Sequence, residues 1–305
     1  MEINHLHFMW ISYSLIVTVS GLNVLYAKNI PYFLKRLFTF GKAHKNIKNQ
    51  KSVAVWLEVP KRWFSHFYVF ASIYIPYIMI SVCCKYFFNV ETPFLIVLLD
   101  YFASPYRQAT VNSESVVIVS VLLSLQVIRR CYECFFVSIY SDAKMNVFHY
   151  IVGLTFYFGA GLSLIHDAPG FENTEKNMNA SYITGDWFTW QHYVGAAIFV
   201  AAFLLQFQTN IQFASLRKKG KSVTTDHYMP SGGGFEYISC PHYFAEIVMY
   251  LAVCLIFKGR SYTWWLLCLW IVTNQVITGL MSHQWYLQKF EKYPVKRKAV
   301  IPFLL

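Results

Sequence analysis

Charge is what this sequence has little of. Asp, Glu, Lys and Arg together make 13% of its 305 residues, about half the usual share for a soluble globular chain. Hydrophobic residues make 56%, and hiding that much apolar surface from water would need an improbably large core. A water-soluble fold is excluded; a bilayer accommodates the same composition. Other absences narrow the class further. There is no internal repeat and no low-complexity segment. No cleavable signal peptide fits, because the first apolar run has neither a basic n-region nor a convincing small-residue cleavage site. The seven cysteines are odd in number and include the adjacent Cys83 and Cys84, so they are not a secreted disulfide framework. Cys131 and Cys134 form a CxxC without a second Cys/His pair, which reads as small buried residues and leaves no metal expected. The net charge of +11 does not indicate nucleic acid, since the basic residues are not gathered into a groove with interleaved aromatics.

What is present is a series of apolar runs long enough to span a membrane. They predict seven transmembrane helices near 8–27, 64–88, 114–137, 147–165, 187–208, 243–258 and 262–281, the sixth being short. The expected fold is therefore an all-α integral membrane protein, a bundle of seven transmembrane helices forming one membrane domain over 1–305. Nineteen Lys and Arg fall in the segments after spans 1, 3, 5 and 7, against five on the other side. The excess places the C-terminus in the cytosol and the N-terminus across the membrane. The sequon Asn179-Ala180-Ser181 lies in the loop assigned to the far side, in weak agreement. Aromatic residues make 19% of the chain, which suits interfacial belts and the wall of a lipid cavity.

Ionisable groups inside spans are costly and mark candidate sites. Span 3 carries Gln126, Arg129, Arg130 and Glu133. Arg130 and Glu133 are three apart and share a helix face, so structural pairing and binding of a phosphate-bearing anion both fit. Gln206 and Asn210 are four apart near the end of span 5, ahead of Arg217-Lys218-Lys219-Gly220. Their amides suit either a nucleotide or ordinary interhelical bonding. His242 and Glu246 share a face of span 6, and span 7 ends in Ser282-His283-Gln284-Trp285-Tyr286. The loop from His227 to Tyr237 holds Gly232-Gly233-Gly234, but no GxGxxG fingerprint and no P-loop. All these polar groups fall toward the cytosolic side, which implies a polar cavity open to the cytosol.

The stretch from Gly232 to Glu246, Tyr286 and the tail from Phe290 to Phe303 resemble the C-terminal domain of the steroid 5α-reductases. The likeness is strongest over 190–305. Leu57-Glu58-Val59-Pro60 is similar to the family's Glu-Leu-Pro element, and the stretches 126–134 and 282–286 resemble its polyprenol reductase branch. The resemblance implies a seven-helix bundle in the endoplasmic reticulum membrane, with NADPH bound from the cytosol by the part 190–305. Matched position by position, Arg130, Arg217, Glu246 and Tyr286 are implied cofactor contacts. Asn210 stands where the steroid enzymes have Asp, Gln206 where they have Asn, and His242 in place of another Asn. His227 and His283 fall in equivalent stretches and are implied phosphate or ribose contacts. Glu58 is the implied catalytic residue, contacting the substrate's polar end.

One departure bears on the substrate. Those enzymes have a substrate-contacting Tyr in span 3 where this chain has Val127, which disfavours a steroid ketone held between Glu and Tyr. The expected reaction is reduction of the α-isoprene double bond of a polyisoprenoid lipid, polyprenol or polyprenal, supplying dolichol for protein N-glycosylation. Hydride needs an electron-poor carbon, which an α,β-unsaturated aldehyde offers and an allylic alcohol does not, so the aldehyde is the expected species. Glu58, kept protonated by burial, would donate a hydrogen bond to its oxygen. The alternatives are a steroid 3-oxo-Δ4 5α-reductase, a reductase of very-long-chain enoyl thioesters, and a seven-helix lipid-binding receptor or carrier.

Overall fold

The computed structural model describes residues 4–27, 58–140, 144–172, 182, 188–217 and 227–305. The sequon at Asn179 and the cluster Lys218-Lys219 lie outside the described residues. Six helices are long and apolar enough to cross a bilayer, and the chain is a multi-pass membrane protein. They are α1 (His5–Tyr26), α2 (Phe64–Phe88), α4 (Ser113–Tyr132), α5 (Val147–His166), α6 (Trp190–Arg217) and α8 (Tyr262–Lys289). Two shorter apolar helices accompany them, α3 (Pro93–Phe102) and α7 (Pro241–Ile256). Large side chains such as Phe8, Leu15, Ile73, Phe136 and Tyr193 stay exposed on the bundle, as a lipid-facing surface requires.

Local chemistry sets the ends. Asn4 caps α1 by accepting the His7 N–H at 2.9 Å, and Asn146 caps α5 by accepting that of Phe148 at 2.8 Å. Ser261 does the same for α8, accepting from Trp264 N at 3.1 Å. Pro241 opens α7, where its missing N–H costs nothing. At the end of α4 the last turn widens into a π-helical segment, Glu133–Val137, a feature frequent at functional sites. The helices pack as α6 on α7, α2 on α4 and α1 on α8.

Four differences from the expected spans have physical causes. Helix α6 runs nine residues past 208 and α8 runs eight past 281, because their terminal amides, His and Tyr are held by neighbours instead of marking an exit to water. Helix α3 was not expected; its 10 residues rise only about 15 Å, too short to announce a span. The chain is also not purely helical. Strands β1 (Glu58–Pro60) and β2 (Lys144–Asn146) pair antiparallel, Glu58 opposite Asn146, and close one end of the bundle. Finally, the tail folds back, with Lys298 O accepting from Ser239 N at 2.8 Å and Ala299 O from Cys240 N at 3.1 Å. A Cβ on Gly279 would come within 2.0 Å of Val300, so that glycine lets the tail lie directly on α8.

Candidate functional site

Polar side chains from α2, α4, α6 and α7 meet inside the bundle near the end closed by the strands. Glu133, with no exposed side-chain surface, receives Nη1 of Arg129 at 2.9 Å and also Nη1 of Arg130. Asn210 donates its Nδ2 to the same carboxylate at 2.9 Å. Arg129 extends the network to Gln126 at 2.7 Å, to the Phe203 carbonyl at 3.1 Å and to Gln206. Gln206 accepts from Gln126 at 2.9 Å and donates to Glu246 at 3.0 Å. Arg130 donates to the Tyr68 hydroxyl at 3.0 Å, with its guanidinium 4.7 Å from that ring's centroid. Two cations and two carboxylates thus share one cluster, both guanidiniums pairing with Glu133 while Glu246 accepts from the Gln206 amide.

Beside the cluster lies a cavity of about 310 Å³, at the small end of the range for ligand pockets. Helix α6 lines it with Asn210, Phe213 and Arg217; α7 with His242 and Tyr243; and α8 with Thr278, Ser282, Trp285 and Tyr286. Lys61, Ser138, Ile139 and Tyr140 add to the wall, and His227 and Tyr228 come from the chain before α7. Among these described lining residues there is no Asp or Glu. Arg217 is tethered by donating Nη1 to the Ile139 carbonyl. Rings brace the wall: His227 meets Trp285 edge-on at 5.1 Å, and Tyr286 stacks on Tyr293 at 5.5 Å. Burial, then the Cys134 thiol beside it, pushes the Tyr140 phenol well above its ordinary value, so it faces the cavity as a neutral hydroxyl.

Of the residues singled out in the sequence, Asn210, Arg217, His227, His242 and Tyr286 line the cavity. Arg130, Gln206 and Glu246 do not; they sit in the buried cluster and reach the cavity through Glu133 and Asn210. His283 also stands off the wall, with Nδ1 2.7 Å from Ser239 Oγ, next in sequence to the lining Ser282. Glu58 is half-buried on β1 and is not a lining residue; Lys61, three positions on, is. Sequence reasoning missed Lys61, Tyr140, Tyr243 and Trp285 as wall residues, and Tyr68 as a partner of Arg130. Lys61 had been counted only as a topology charge, and the tyrosines are indistinguishable by composition from belt residues. Among the described residues no three His, Cys, Asp or Glu side chains come together to hold a metal ion.

The arrangement suits an elongated polar ligand with anionic groups. The cavity's described lining combines the cationic Lys61 and Arg217, the Asn210 amide, several hydroxyls and aromatic rings. Residues 143–305 match the family described as 3-oxo-5-alpha-steroid 4-dehydrogenase. Over nearly its whole length the chain is similar to proteins named polyprenal reductase. With that of Drosophila melanogaster it is 34% identical, covering 100% of this chain and 94% of the relative. With that of Danio rerio it is 33% identical over 90% and 89% of the two chains, and with that of Homo sapiens 30% over 88% and 85%.

Proposed function

Because the chain belongs to the 3-oxo-5-alpha-steroid 4-dehydrogenase family, we propose that it is an NADPH-dependent membrane oxidoreductase that saturates the α-isoprene double bond of polyprenal. The product, dolichal, leads to dolichol for protein N-glycosylation. The observation that carries the reading is a cavity, with no Asp or Glu among its described lining residues, joined by Asn210 to a buried Arg–Glu cluster.

A bound reduced nicotinamide supplies the hydride. The residues present fit such a group: Arg217, His227 and His242 line the cavity, and the Trp285 ring forms part of its wall. We assign Asn210, Arg217, His227, His242 and Tyr286 to direct contact. Arg130, Gln206 and Glu246 hold Asn210 and its helix in place through Glu133, and His283 fixes the Ser239 turn beside the wall. The C-terminal part, 190–305, supplies most of these groups, while Lys61 and Tyr140 complete the wall from outside it. The unsaturated aldehyde would take hydride at its β-carbon as charge moves to the carbonyl oxygen, and a proton from water added at the α-carbon completes the saturated product. Glu58 is assigned to contact the substrate's polar end, where that oxygen lies. An allylic alcohol has no such sink.

We further propose seven crossings, α7 being the short one. Its 16 residues rise about 24 Å against a hydrocarbon core of about 30 Å. Its first turn lines the cavity beside the last turn of α8, whereas the Ile256 carbonyl accepts from Ser115 at the other end. The cavity end then faces the cytosol with the C-terminus, and the membrane is that of the endoplasmic reticulum.

The test supplies purified protein and NADPH with polyprenal, polyprenol or a 3-oxo-Δ4 steroid. Polyprenal should turn over at least about ten-fold faster than either, the ratio given by about 1.4 kcal/mol of transition-state difference. Ready reduction of the alcohol alone defeats the aldehyde reading. Preference for the steroid favours the second reading, a steroid 5α-reductase, for which the family description speaks.

A further inference from the structure

Lys61 is a charged cavity-lining residue to which the proposed mechanism gives no role. It opens the single 3₁₀ turn Lys61–Trp63 between β1 and α2. A lysine kept only to orient the chain extends its ammonium into water near the headgroups. Lys61 instead forms part of the cavity wall, as does Ile139, whose carbonyl tethers Arg217. Arg217 is the charged group near enough to act on it. Among the described residues neither has a carboxylate partner, and the described lining contains none. Two cations brought together repel one another, and an anion between them removes that cost.

Position identifies the anion. Helix α6 passes from Asn210, in contact with Glu133, to Arg217 seven residues later, about 10 Å further from the buried cluster. The reacting end of a dinucleotide must lie near the greasy interior where its lipid partner arrives, so the adenosine end lies toward Arg217. The diphosphate joins the two halves and sits midway. At the adenosine end, the group that carries two negative charges and separates NADPH from NADH is the 2′-phosphate. An acidic residue there would instead favour the unphosphorylated ribose.

We propose that Lys61 and Arg217 form the 2′-phosphate subsite, and that Lys61 is a specificity-determining residue for NADPH over NADH. The assignment rests on the reductase reading above. It also explains why a wall residue of a C-terminal cofactor site is drawn from the start of α2.

Equilibrium binding of adenosine 2′,5′-bisphosphate and adenosine 5′-monophosphate to the full-length protein in detergent tests this without any turnover, since the two differ only in the 2′-phosphate. Wild type should prefer the bisphosphate. In Lys61→Gln that preference should fall roughly ten-fold or more, the scale of one lost charge-assisted hydrogen bond, with monophosphate binding retained. Lys61→Arg should keep the preference, which guards against a folding defect. If Lys61→Gln binds both nucleotides as wild type does, or loses both alike, the subsite assignment is overturned while the reductase reading stands. If wild type binds neither, the cofactor reading falls and takes the subsite with it.

Discussion

Glu133 answers two guanidiniums and one amide at once, from a position with no exposed side-chain surface. Half of this was legible, because Arg130 and Glu133 are three apart and Arg129 and Glu133 four apart on one helix. The other half was not: Gln206 and Asn210 come from α6, some 77 residues away in sequence. Nothing in a single chain states which helices become neighbours. Removing the carboxylate leaves two buried cations facing one another. Glu133→Ala is therefore expected to destabilise the protein by about 3–5 kcal/mol, seen as a large drop in unfolding temperature in detergent. Glu133→Gln, which keeps the shape and loses the charge, should do nearly the same. Unfolding temperatures equal to wild type for both would show that the arginines are neutralised elsewhere.

At the scale of elements, the end of the bundle away from the cavity is tied by a second polar knot. His166 at the end of α5 lies 2.6 Å from Asp167 Oδ1, 3.0 Å from Thr263 on α8 and 3.1 Å from Asn4 ahead of α1. Ser261 donates to Asp167 Oδ2 at 2.6 Å, and His7 meets Thr263 at 2.8 Å. Three helix ends are fixed together, which holds α8 and hence the Trp285–Tyr286 wall in register. Burial alone would raise the Asp167 carboxyl, but the hydrogen bonds from His166, Ser261 and Thr263 hold it below the usual carboxylate value. A carboxyl lowered on folding stabilises the fold above its unfolded value of about 3.9, and that contribution fades as pH falls through the folded value. Asp167→Asn should thus melt below wild type at neutral pH, the gap closing as the pH drops below about 4. A gap that stays constant down to pH 3 (~0.9 below the unfolded value) would rule out the charge as its source. The knot carries no sequence signal, since His-Asp and Ser-Tyr-Thr pairs are common at helix ends.

For the whole molecule, the direction of every helix follows from which residues share an end. Asn4 and His166 stand at one end, and Arg217, Tyr243 and Tyr286 at the other. With α7 crossing, the N-terminus and the C-terminus face opposite sides. In sealed microsomes, a single cysteine placed after Leu305 should react with a membrane-impermeant maleimide added outside. One placed before His5 should be protected until detergent is added. Equal reactivity of both would mean that one helix, α7 first among them, turns back without crossing.

Composition and hydropathy alone set the membrane class and located the six long apolar helices, because in a bilayer each spanning segment must satisfy its own backbone and expose an apolar surface. Short motifs also disclosed Asn210, Arg217, His227, His242 and Tyr286 as residues to watch. Only the tertiary structure decided that Arg130, Gln206 and Glu246 stand behind the cavity and not in its wall, that the tail rests on Gly279, and that Lys61 shares the cavity wall with Arg217. Those outcomes depend on how helices distant in sequence pack side by side, and on which buried charge each partner neutralises. Local sequence fixes what each segment is; the contacts between segments fix what the site contains.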